Sequence, residues 1–374
     1  MARPLFALLI TLGDPNTLSG GYLFHRRLAG LAPRHGARLE FVSVPPRTFP
    51  LGLLDAPRVG AMVRRHAPDV VVLDSIAAAF MAFWTAPGPS VGMLHQPPGG
   101  IDHGWARTLV QGALDRVAYQ RLERLLVASE SLAEELRRVG VPARQIQVVP
   151  PGRDVAPELS RPPSTSAPPN PPLTVDGSHA DPRRGRRAAF LSVGNWLARK
   201  GTLSLLDAFA HLDPKAGTLH LVGHTAVEPK YARRVWARLA RADLHGRVVV
   251  HGPLAVGQVA ALYAAADVFV LPSWKEPYGT VYGEAMAYGL PVVGWRAGNL
   301  PYLADDWREG LLVEPGDVHG LSAALQRLAD DEGLRQRLGA AAQVRALARP
   351  TWDRVAELFF SQLREVAGQP GVAA

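Results

Sequence analysis

Two glutamates and one glycine near position 280 form a pattern that could bind and act on a phosphorylated ligand. The stretch LPSWKEPYGTVYGEAMAYGLPVVG runs from an apolar strand pattern, through a loop with Glu276 and Gly279, into a helical pattern with Glu284 in its second turn. Glycine lets the backbone approach a ligand closely, and the amides of Gly279, Thr280 and Val281 open the helix. With the helix dipole, these amides predict an anion site suited to a diphosphate. Glu276 is placed to accept hydrogen bonds from sugar hydroxyls, and Glu284 to reach a ribose.

The alternative is a capped helix with two solvated acids, but the order of strand, glycine and acids favours the anion site.

Two more residues have positions typical of binding sites. Lys200 precedes a helical pattern in SVGNWLARKGTLSLL, and His95 follows a strand pattern in MLHQPPGG. Each also has a simpler interpretation: a surface lysine beside a helix, and a strand-end histidine bonded to backbone. The charge of His95 is not assigned, because histidine titrates near neutrality.

Short apolar strands and amphipathic helices alternate along the chain around these residues. Strands are predicted at 5–10, 38–44, 70–73, 90–94, 124–128, 147–149, 188–193, 219–222, 248–251, 268–271, 291–294 and 311–313. Helices are predicted at 21–33, 131–139, 203–212, 231–240, 256–265, 281–288, 318–328, 332–348 and 352–366. This alternation predicts an α/β protein with parallel sheets covered by helices on both faces. Ligands of such sheets sit outside the carboxyl ends of the strands.

A stretch rich in proline, serine and arginine interrupts the alternation, and its composition cannot bury enough apolar surface to fold alone. We therefore expect four segments. They are a domain at 1–154, a linker or loop at 155–187, a second domain at 188–348 and a C-terminal helix at 349–374 that crosses back towards the first domain.

Composition narrows the class of protein. The chain has 374 residues, of which 47% are hydrophobic and 20% charged, as in ordinary soluble proteins, and it has no cysteine. The apolar run near the N-terminus ends in Gly-Asp-Pro, which indicates a buried strand rather than a secretory signal, and no stretch approaches the roughly 18 apolar residues that span a bilayer. We therefore expect a cytoplasmic protein.

The net charge of +8 is compatible with nucleic acid, an anionic membrane or a phosphorylated substrate, or with an arginine-rich composition that has no such meaning. No nucleic-acid motif is present, so nucleic acid is not an expected partner. No G-x-G-x-x-G follows the first strand, which argues against a dinucleotide oxidoreductase.

The glutamates at 276 and 284, separated by seven residues, resemble the E-x7-E motif of the retaining glycosyltransferases of family 4. The following AMAYGLPVVG is similar to that family's EAMAxGxPVV segment. Ser19-Gly20-Gly21 before a helix resembles its glycine-rich donor loop, and the stretches 127–154 and 192–212 resemble the segments that close the first domain and open the second. The resemblance implies the GT-B fold, with two Rossmann-like parallel-sheet domains facing a central cleft.

The resemblance also implies roles for the residues that match the family. Lys200 would bind the donor diphosphate, His95 would contact the donor sugar, and His251 and Leu254 would flank the nucleotide base. No D-x-D occurs in the chain, and the family needs neither a metal nor another cofactor. Asn195 departs from the pattern, because many members have an arginine there.

Arg199, next to Lys200, is a candidate to replace that arginine. His103 in IDHGW is assigned to an acceptor loop.

The implied function is transfer of a hexose from a nucleotide-diphosphate sugar to a hydroxyl of a glycan, a lipid-linked sugar or a small molecule. Two alternatives stay open. One is an epimerase or phosphorylase of the same fold, and the other is a nucleotide-sugar-binding protein with impaired catalysis. A basic helical stretch with aromatic residues, 105–124, predicts peripheral contact with an anionic membrane, although a solvated helix explains it equally well.

Overall fold

The computed structural model describes residues 3–15, 20–45, 49, 51–153 and 187–369. The chain forms two compact units. One comprises the residues up to 154 together with those from 350 onward, and the other comprises the residues between them. Apart from Arg187, the predicted linker at 155–187 lies outside the described residues.

Parallel strands alternate with helices along each unit. The strands are β1 Leu5–Leu12, β2 Ala37–Val44, β3 Val70–Asp74, β4 Ser90–Leu94, β5 Arg124–Val127, β6 Ile146–Val148, β7 Ala188–Val193, β8 Gly217–Val222, β9 Val248–Gly252, β10 Val268–Val270, β11 Val292–Trp295 and β12 Gly310–Val313. The helices are α1 Gly20–Leu31, α2 Ala56–His66, α3 Ser75–Ala78, α4 Trp105–Tyr119, α5 Glu130–Arg138, α6 Thr202–Ala210, α7 Pro229–Leu239, α8 Val256–Ala265, α9 Thr280–Ala287, α10 Leu300–Leu303, α11 Val318–Asp330, α12 Glu332–Leu347 and α13 Trp352–Val366.

The first sheet has the strand order β2-β1-β3-β4-β5-β6, and its neighbouring strands are parallel. Its strands are apolar on both faces because helices cover both faces. In β1, Leu5, Ala7 and Leu9 belong to one core, while Leu8 and Ile10 belong to the core on the opposite face. The strand order reverses at β1 and β3, and the carboxyl ends of these strands meet there.

The second sheet has the order β12-β11-β10-β7-β8-β9, also with parallel neighbours. This is the doubly wound arrangement, whose strand order reverses between β7 and β10. The loops after these two strands carry Lys200 and Glu276. The fold therefore brings together two residues that are 76 positions apart in the sequence.

Helix α13 belongs to the first unit although it follows the second unit in the chain. Val355, Ala356, Phe359, Phe360 and Leu363 are at most 1% exposed and share a core with strands of the first sheet. At the ends of the helix, polar contacts complement this packing. The Arg124 guanidinium forms a bidentate ion pair with the Glu365 carboxylate, with nitrogen–oxygen distances of 2.7 and 2.8 Å.

We expect Phe360→Ala to destabilise the first unit by about 3–5 kcal/mol, because truncating a buried aromatic side chain leaves a cavity. Equilibrium denaturation, with probes assigned to each unit, measures the free energy of unfolding. Ser361→Ala is the matched control: it lies on the exposed face of the same helix and should change that energy by less than about 0.5 kcal/mol. Equal losses in the two variants would contradict the role of α13 in this core.

Candidate functional site

The loop between β10 and α9 ends at a glycine that no other residue can replace without strain. Gly279 is the N-cap of α9 and has a φ of +84°. A Cβ atom there would lie 2.7 Å from Cδ2 of Tyr282 and 3.0 Å from Cδ1 of Leu303. With no side chain at the cap, the first amides of α9 are accessible to an anion from outside.

The backbone of Glu276 is fixed just before this helix. Its carbonyl accepts a hydrogen bond from the Asn299 amide at 2.9 Å, and the Asn299 side chain donates to the Tyr278 carbonyl at 2.8 Å. A Cβ on Gly298 would come within 2.8 Å of the Glu276 backbone. The position of the Glu276 side chain therefore follows from a tightly packed turn.

Lys200 and Glu276 form an ion pair, in which the Lys200 ammonium donates to the Glu276 carboxylate. Both side chains are mostly buried, with exposed fractions of 12% and 13%. The Glu276 side chain also lies against Gly279, where its Cγ is 3.4 Å from the place of a glycine Cβ. Lysine, glutamate and helix start thus form one cluster, which we call the Lys200–Glu276 cluster.

The loops that carry this cluster are held together through their backbones. Gly201, with a φ of +72°, packs so closely that an added Cβ would lie 2.1 Å from the Pro272 carbonyl oxygen. The Arg199 carbonyl accepts hydrogen bonds from the Trp274 amide at 2.7 Å and from Ser273 Oγ at 3.2 Å. These contacts fix the Lys200 loop against the Glu276 loop.

Arg199 and Asn195 both have backbone partners. The Arg199 guanidinium donates to the Lys275 carbonyl at 3.1 Å, so it lies along the Glu276 loop. The Asn195 side-chain oxygen accepts from the His224 amide at 3.0 Å. Arg199 is therefore close to the Lys200–Glu276 cluster, whereas the Asn195 side chain turns towards the loop after β8.

Glu284 lies in α9, one turn after Thr280, and faces α8. Its carboxylate accepts a hydrogen bond from the Tyr263 hydroxyl at 3.0 Å. Burial, together with the Glu284 charge, raises the pKa of Tyr263 well above its ordinary value, so this tyrosine remains a hydrogen-bond donor. The contact holds Glu284 in place, and Val281 is nearby because its carbonyl accepts from the same hydroxyl at 3.4 Å.

His251 and Leu254 lie at the carboxyl end of the edge strand β9, two strands away from β7. The His251 ring stacks on His220, with ring centroids 5.3 Å apart and Nε2 of His251 3.0 Å from Nδ1 of His220. Gly252 has a φ of +69°, and its carbonyl accepts from the Gly223 amide at 2.9 Å. The end of β9 is therefore a tight turn, and the His251 ring just before it stacks on His220 of β8.

In the first unit, His95 follows β4 and lies against the start of α1. A Cβ added to Gly21 would be 3.3 Å from Cδ2 of His95, whereas one added to Gly20 would meet no atom within 4 Å. The Phe24 ring packs edge-on against His95 at 4.8 Å. A side chain at position 21 would therefore press against the His95 imidazole.

The structure adds two residues that the sequence interpretation missed. Nε2 of His25 lies 3.0 Å from Nε2 of His95, and Nδ1 of His25 lies 3.6 Å from the Asp74 carboxylate. Two signals in the sequence could have revealed them. His25 is four residues after Gly21 and so lies on the same face of α1, and Asp74 ends a strand that is otherwise apolar.

His103 lines a cavity of about 320 Å³ in the first unit. Other polar residues that line this cavity include Tyr22, Gln96, Arg107 and Gln111. Partial burial and the nearby Arg107 charge lower the pKa of His103. The loop 96–103 beside the cavity is supported from α4, where the Asp115 carboxylate accepts from the Gly99 amide at 2.8 Å. Burial raises the pKa of Asp115 to about 7.

Within the described ranges, no group of three or more histidine, aspartate or glutamate side chains could hold a metal ion. Over the same part of the chain, every helix is too short or too polar to span a bilayer.

Comparison with known sequences places both units in related families. Residues 9–152 match the family described as glycosyl transferase 4-like domain, and residues 187–331 match the one described as glycosyl transferases group 1.

Among individual relatives, a D-inositol 3-phosphate glycosyltransferase of Xylanimonas cellulosilytica is 33% identical over 245 residues, which cover 63% of this chain and 56% of the relative. An MMP alpha-(1->4)-mannosyltransferase of Mycolicibacterium hassiacum is 33% identical over 246 residues, or 64% of this chain and 53% of the relative. The chain spans about half the length of these curated relatives.

Solved structures share the fold over nearly the whole chain. Sucrose-phosphate synthase from Thermosynechococcus elongatus superposes with a TM-score of 0.77 at 20% identity, covering 97% of this chain and 99% of that one. The Anabaena protein HepE, solved in complex with UDP-glucose, gives 0.75 at 20% identity over 96% and 99%. Both units match successive family models and both sheets have the expected doubly wound order, so this chain belongs to the group 1 glycosyltransferases of the family 4 type, with the GT-B fold.

Proposed function

We propose that this protein transfers a hexose from a nucleotide-diphosphate sugar to an acceptor hydroxyl, with retention at the anomeric carbon and without a metal ion. The Lys200–Glu276 cluster is the observation that carries the proposal. It provides a cation, a carboxylate and an uncapped helix start at the point where the second sheet reverses its strand order. Relatives named as glycosyltransferases and the HepE complex with UDP-glucose support the choice of donor.

Donor binding exchanges the partners of the Lys200–Glu276 ion pair. A diphosphate at the start of α9 is a stronger partner for the Lys200 ammonium than one carboxylate, and the Thr280 and Val281 amides add further donors. Glu276 is then available to accept hydrogen bonds from the sugar hydroxyls. As the bond from the sugar to the diphosphate breaks, Lys200 and the helix amides stabilise the charge that develops on the leaving group.

The acceptor hydroxyl attacks the anomeric carbon on the face from which the diphosphate leaves. The new bond joins the acceptor oxygen to that carbon, the old bond to the phosphate oxygen breaks, and a phosphate oxygen takes the proton of the hydroxyl. Glu276 needs no nucleophilic role, in contrast to the carboxylate of retaining glycosidases. Catalysis then rests on positioning and on charge stabilisation.

Each unit carries further candidate donor-binding residues. In the second, Arg199 and Asn195 are candidates for the phosphates, Glu284 for the ribose, and His251 with Leu254 for the base. In the first, Gly20, Gly21 and His95 are candidates for the sugar. The cavity beside His103 is the candidate acceptor site, since its volume of about 320 Å³ is at the lower end of known ligand pockets.

The experiment that tests this function begins with a thermal-shift screen of UDP-, GDP- and ADP-hexoses, because a ligand that binds the native state raises its melting temperature. The hexose that binds is then incubated with candidate acceptors, with and without EDTA. We expect acceptor-dependent consumption of the donor, an unchanged rate in EDTA and a product with the donor's anomeric configuration by NMR. Consumption of the donor without an acceptor would favour the epimerase alternative. Binding of the donor without its consumption would favour a nucleotide-sugar-binding protein with impaired catalysis.

Glu276→Gln should lower kcat by about 100-fold or more, which is typical of losing one group that acts on the transition state. Affinity for the nucleoside diphosphate, measured by calorimetry, should stay the same or rise, because Lys200 loses its competing carboxylate. Glu314→Gln is the control, as its carboxylate is mostly exposed. Normal turnover with weakened diphosphate binding would be the opposite pattern and would remove Glu276 from the proposed role.

Lys200→Ala should weaken binding of the nucleoside diphosphate by about 10- to 100-fold, the loss expected for a hydrogen bond to a charged group. The plain nucleoside lacks phosphates, so its affinity should not change. Lys230→Ala, an exposed lysine on α7, serves as control for the loss of one positive charge. If Lys200→Ala weakens nucleoside and diphosphate equally, the lysine does not act through the phosphates.

Membrane contact is a further part of the proposal, and α4 supports it. Trp105, Leu109 and Val110 are 83%, 66% and 51% exposed on this helix, which also carries Arg107 and Arg116. Such a surface suits an anionic bilayer. The protein should sediment with phosphatidylglycerol vesicles but not with phosphatidylcholine vesicles, and the double substitution Trp105→Ser with Leu109→Ser should abolish sedimentation. Unchanged sedimentation of this variant would exclude α4 as the contact.

A further inference from the structure

We infer that Asp74 and His25 are positioning residues that hold His95 as a neutral imidazole with its proton on Nε2. The inference deepens the proposed function, on which its catalytic consequence rests, but the protonation state itself can be measured without any donor.

The geometry is a chain of side chains that runs from the interior of the first unit to His95. Thr11 Oγ1 donates to the Asp74 carboxylate at 2.7 Å, Asp74 lies 3.6 Å from Nδ1 of His25, and Nε2 of His25 lies 3.0 Å from Nε2 of His95. Thr11, His25 and Asp74 are at most 2% exposed. Groups this deeply buried keep a fixed partner because bulk water cannot replace it.

Two imidazole nitrogens 3.0 Å apart need one proton between them, so one ring donates and the other accepts. Burial lowers the pKa of both His25 and His95 to about 3, which makes both rings neutral near pH 7. A neutral ring has one N–H and one lone pair. The proton on one nitrogen of His25 therefore decides the proton position of His95.

Asp74 favours one direction for the hydrogen bond between His25 and His95. Its carboxylate accepts from Thr11 Oγ1, from the Ile76 amide at 3.3 Å and from Ser75 Oγ at 3.3 Å, and such bonds favour the ionised form. Burial opposes them and raises the pKa of Asp74. In its ionised form this carboxylate lies 3.6 Å from Nδ1 of His25, which is longer than a hydrogen bond but close enough for the negative charge to favour a proton on that nitrogen. With Nδ1 protonated, Nε2 of His25 accepts and Nε2 of His95 donates.

A second path leads from His95 to the same carboxylate. The His95 backbone amide donates to Ser75 Oγ at 3.3 Å, and Ser75 in turn donates to Asp74. Both the ring and the backbone of His95 are thereby oriented by Asp74. The Phe24 ring and Gly21 confine the imidazole from other sides.

The consequence concerns how His95 meets a sugar. With Nε2–H donated to His25, the other ring nitrogen, Nδ1, carries a lone pair and accepts a hydrogen bond. His95 then holds a hydroxyl of the donor as an acceptor and does not act as a cation. Asp74 and His25 act only through His95.

The direct test is long-range ¹H–¹⁵N NMR of the full chain with ¹⁵N-labelled histidine at pH 7, with signals assigned by His25→Gln and His95→Gln. We expect His95 protonated on Nε2 and His25 protonated on Nδ1, both neutral. A proton on Nδ1 of His95, or an imidazolium at either position, would overturn the inference. This readout needs no activity, so it holds even if no hexose donor is consumed.

Kinetics with the hexose donor give the second readout. His25→Phe fills the space of the ring but cannot accept a proton, and kcat should fall by about 10- to 100-fold, as when a histidine ligand loses its orienting partner. His25→Gln can still accept from His95 and donate to Asp74, so it should restore most of kcat. His66→Phe on the exposed face of α2 is the control.

Equal losses in the glutamine and phenylalanine variants, with both proteins folded, would show that packing alone matters and would overturn the positioning role. Loss of kcat in His95→Gln but not in His25→Phe would leave the proposed transfer intact and reject the inference alone.

Discussion

The Lys200–Glu276 ion pair joins the two loops of the second unit that carry the candidate site. Two opposite charges in a mostly buried place are stable only while they face each other, and removing one leaves the other without compensation. The loops that carry them must therefore stay in register, which the contact of Gly201 with Pro272 and the hydrogen bonds to the Arg199 carbonyl ensure. In the proposed complex, a phosphate that displaces the carboxylate keeps Lys200 paired, and Glu276 takes its hydrogen bonds from the sugar hydroxyls instead.

Both units place polar side chains at the same point of a parallel sheet, but the side chains differ in kind. In each, the strand order of a parallel sheet reverses, and polar side chains gather at the carboxyl ends of the strands beside the reversal. The second unit has an ion pair there, whereas the first has two imidazoles in contact, one of which lies 3.6 Å from a buried carboxylate. The ion pair suits a charged ligand, and the imidazoles suit hydroxyl groups.

The sequence predicted the strands and the order of motifs well, because apolar runs buried on both faces have few alternatives to a parallel sheet. The GT-B fold and the family assignment are confirmed. The roles of Glu276, Lys200 and His95 remain predictions. The sequence could not predict the pairing of Lys200 with Glu276, nor the partners of Arg199 and Asn195, because these depend on loop geometry. His25 and Asp74 were missed because each looks like an ordinary polar residue until β3, β4 and α1 are assembled.

The place of α13 has a consequence for how the protein is made on the ribosome. The residues that complete one core of the first unit, Phe359 and Phe360 among them, are translated after the whole of the second unit. During synthesis, the sequence of the second unit is complete before that of the first. Until α13 is translated, the first unit has an apolar face that nothing covers. We therefore expect the unit nearer the N-terminus to be the later one to reach its native state, the reverse of the usual vectorial order.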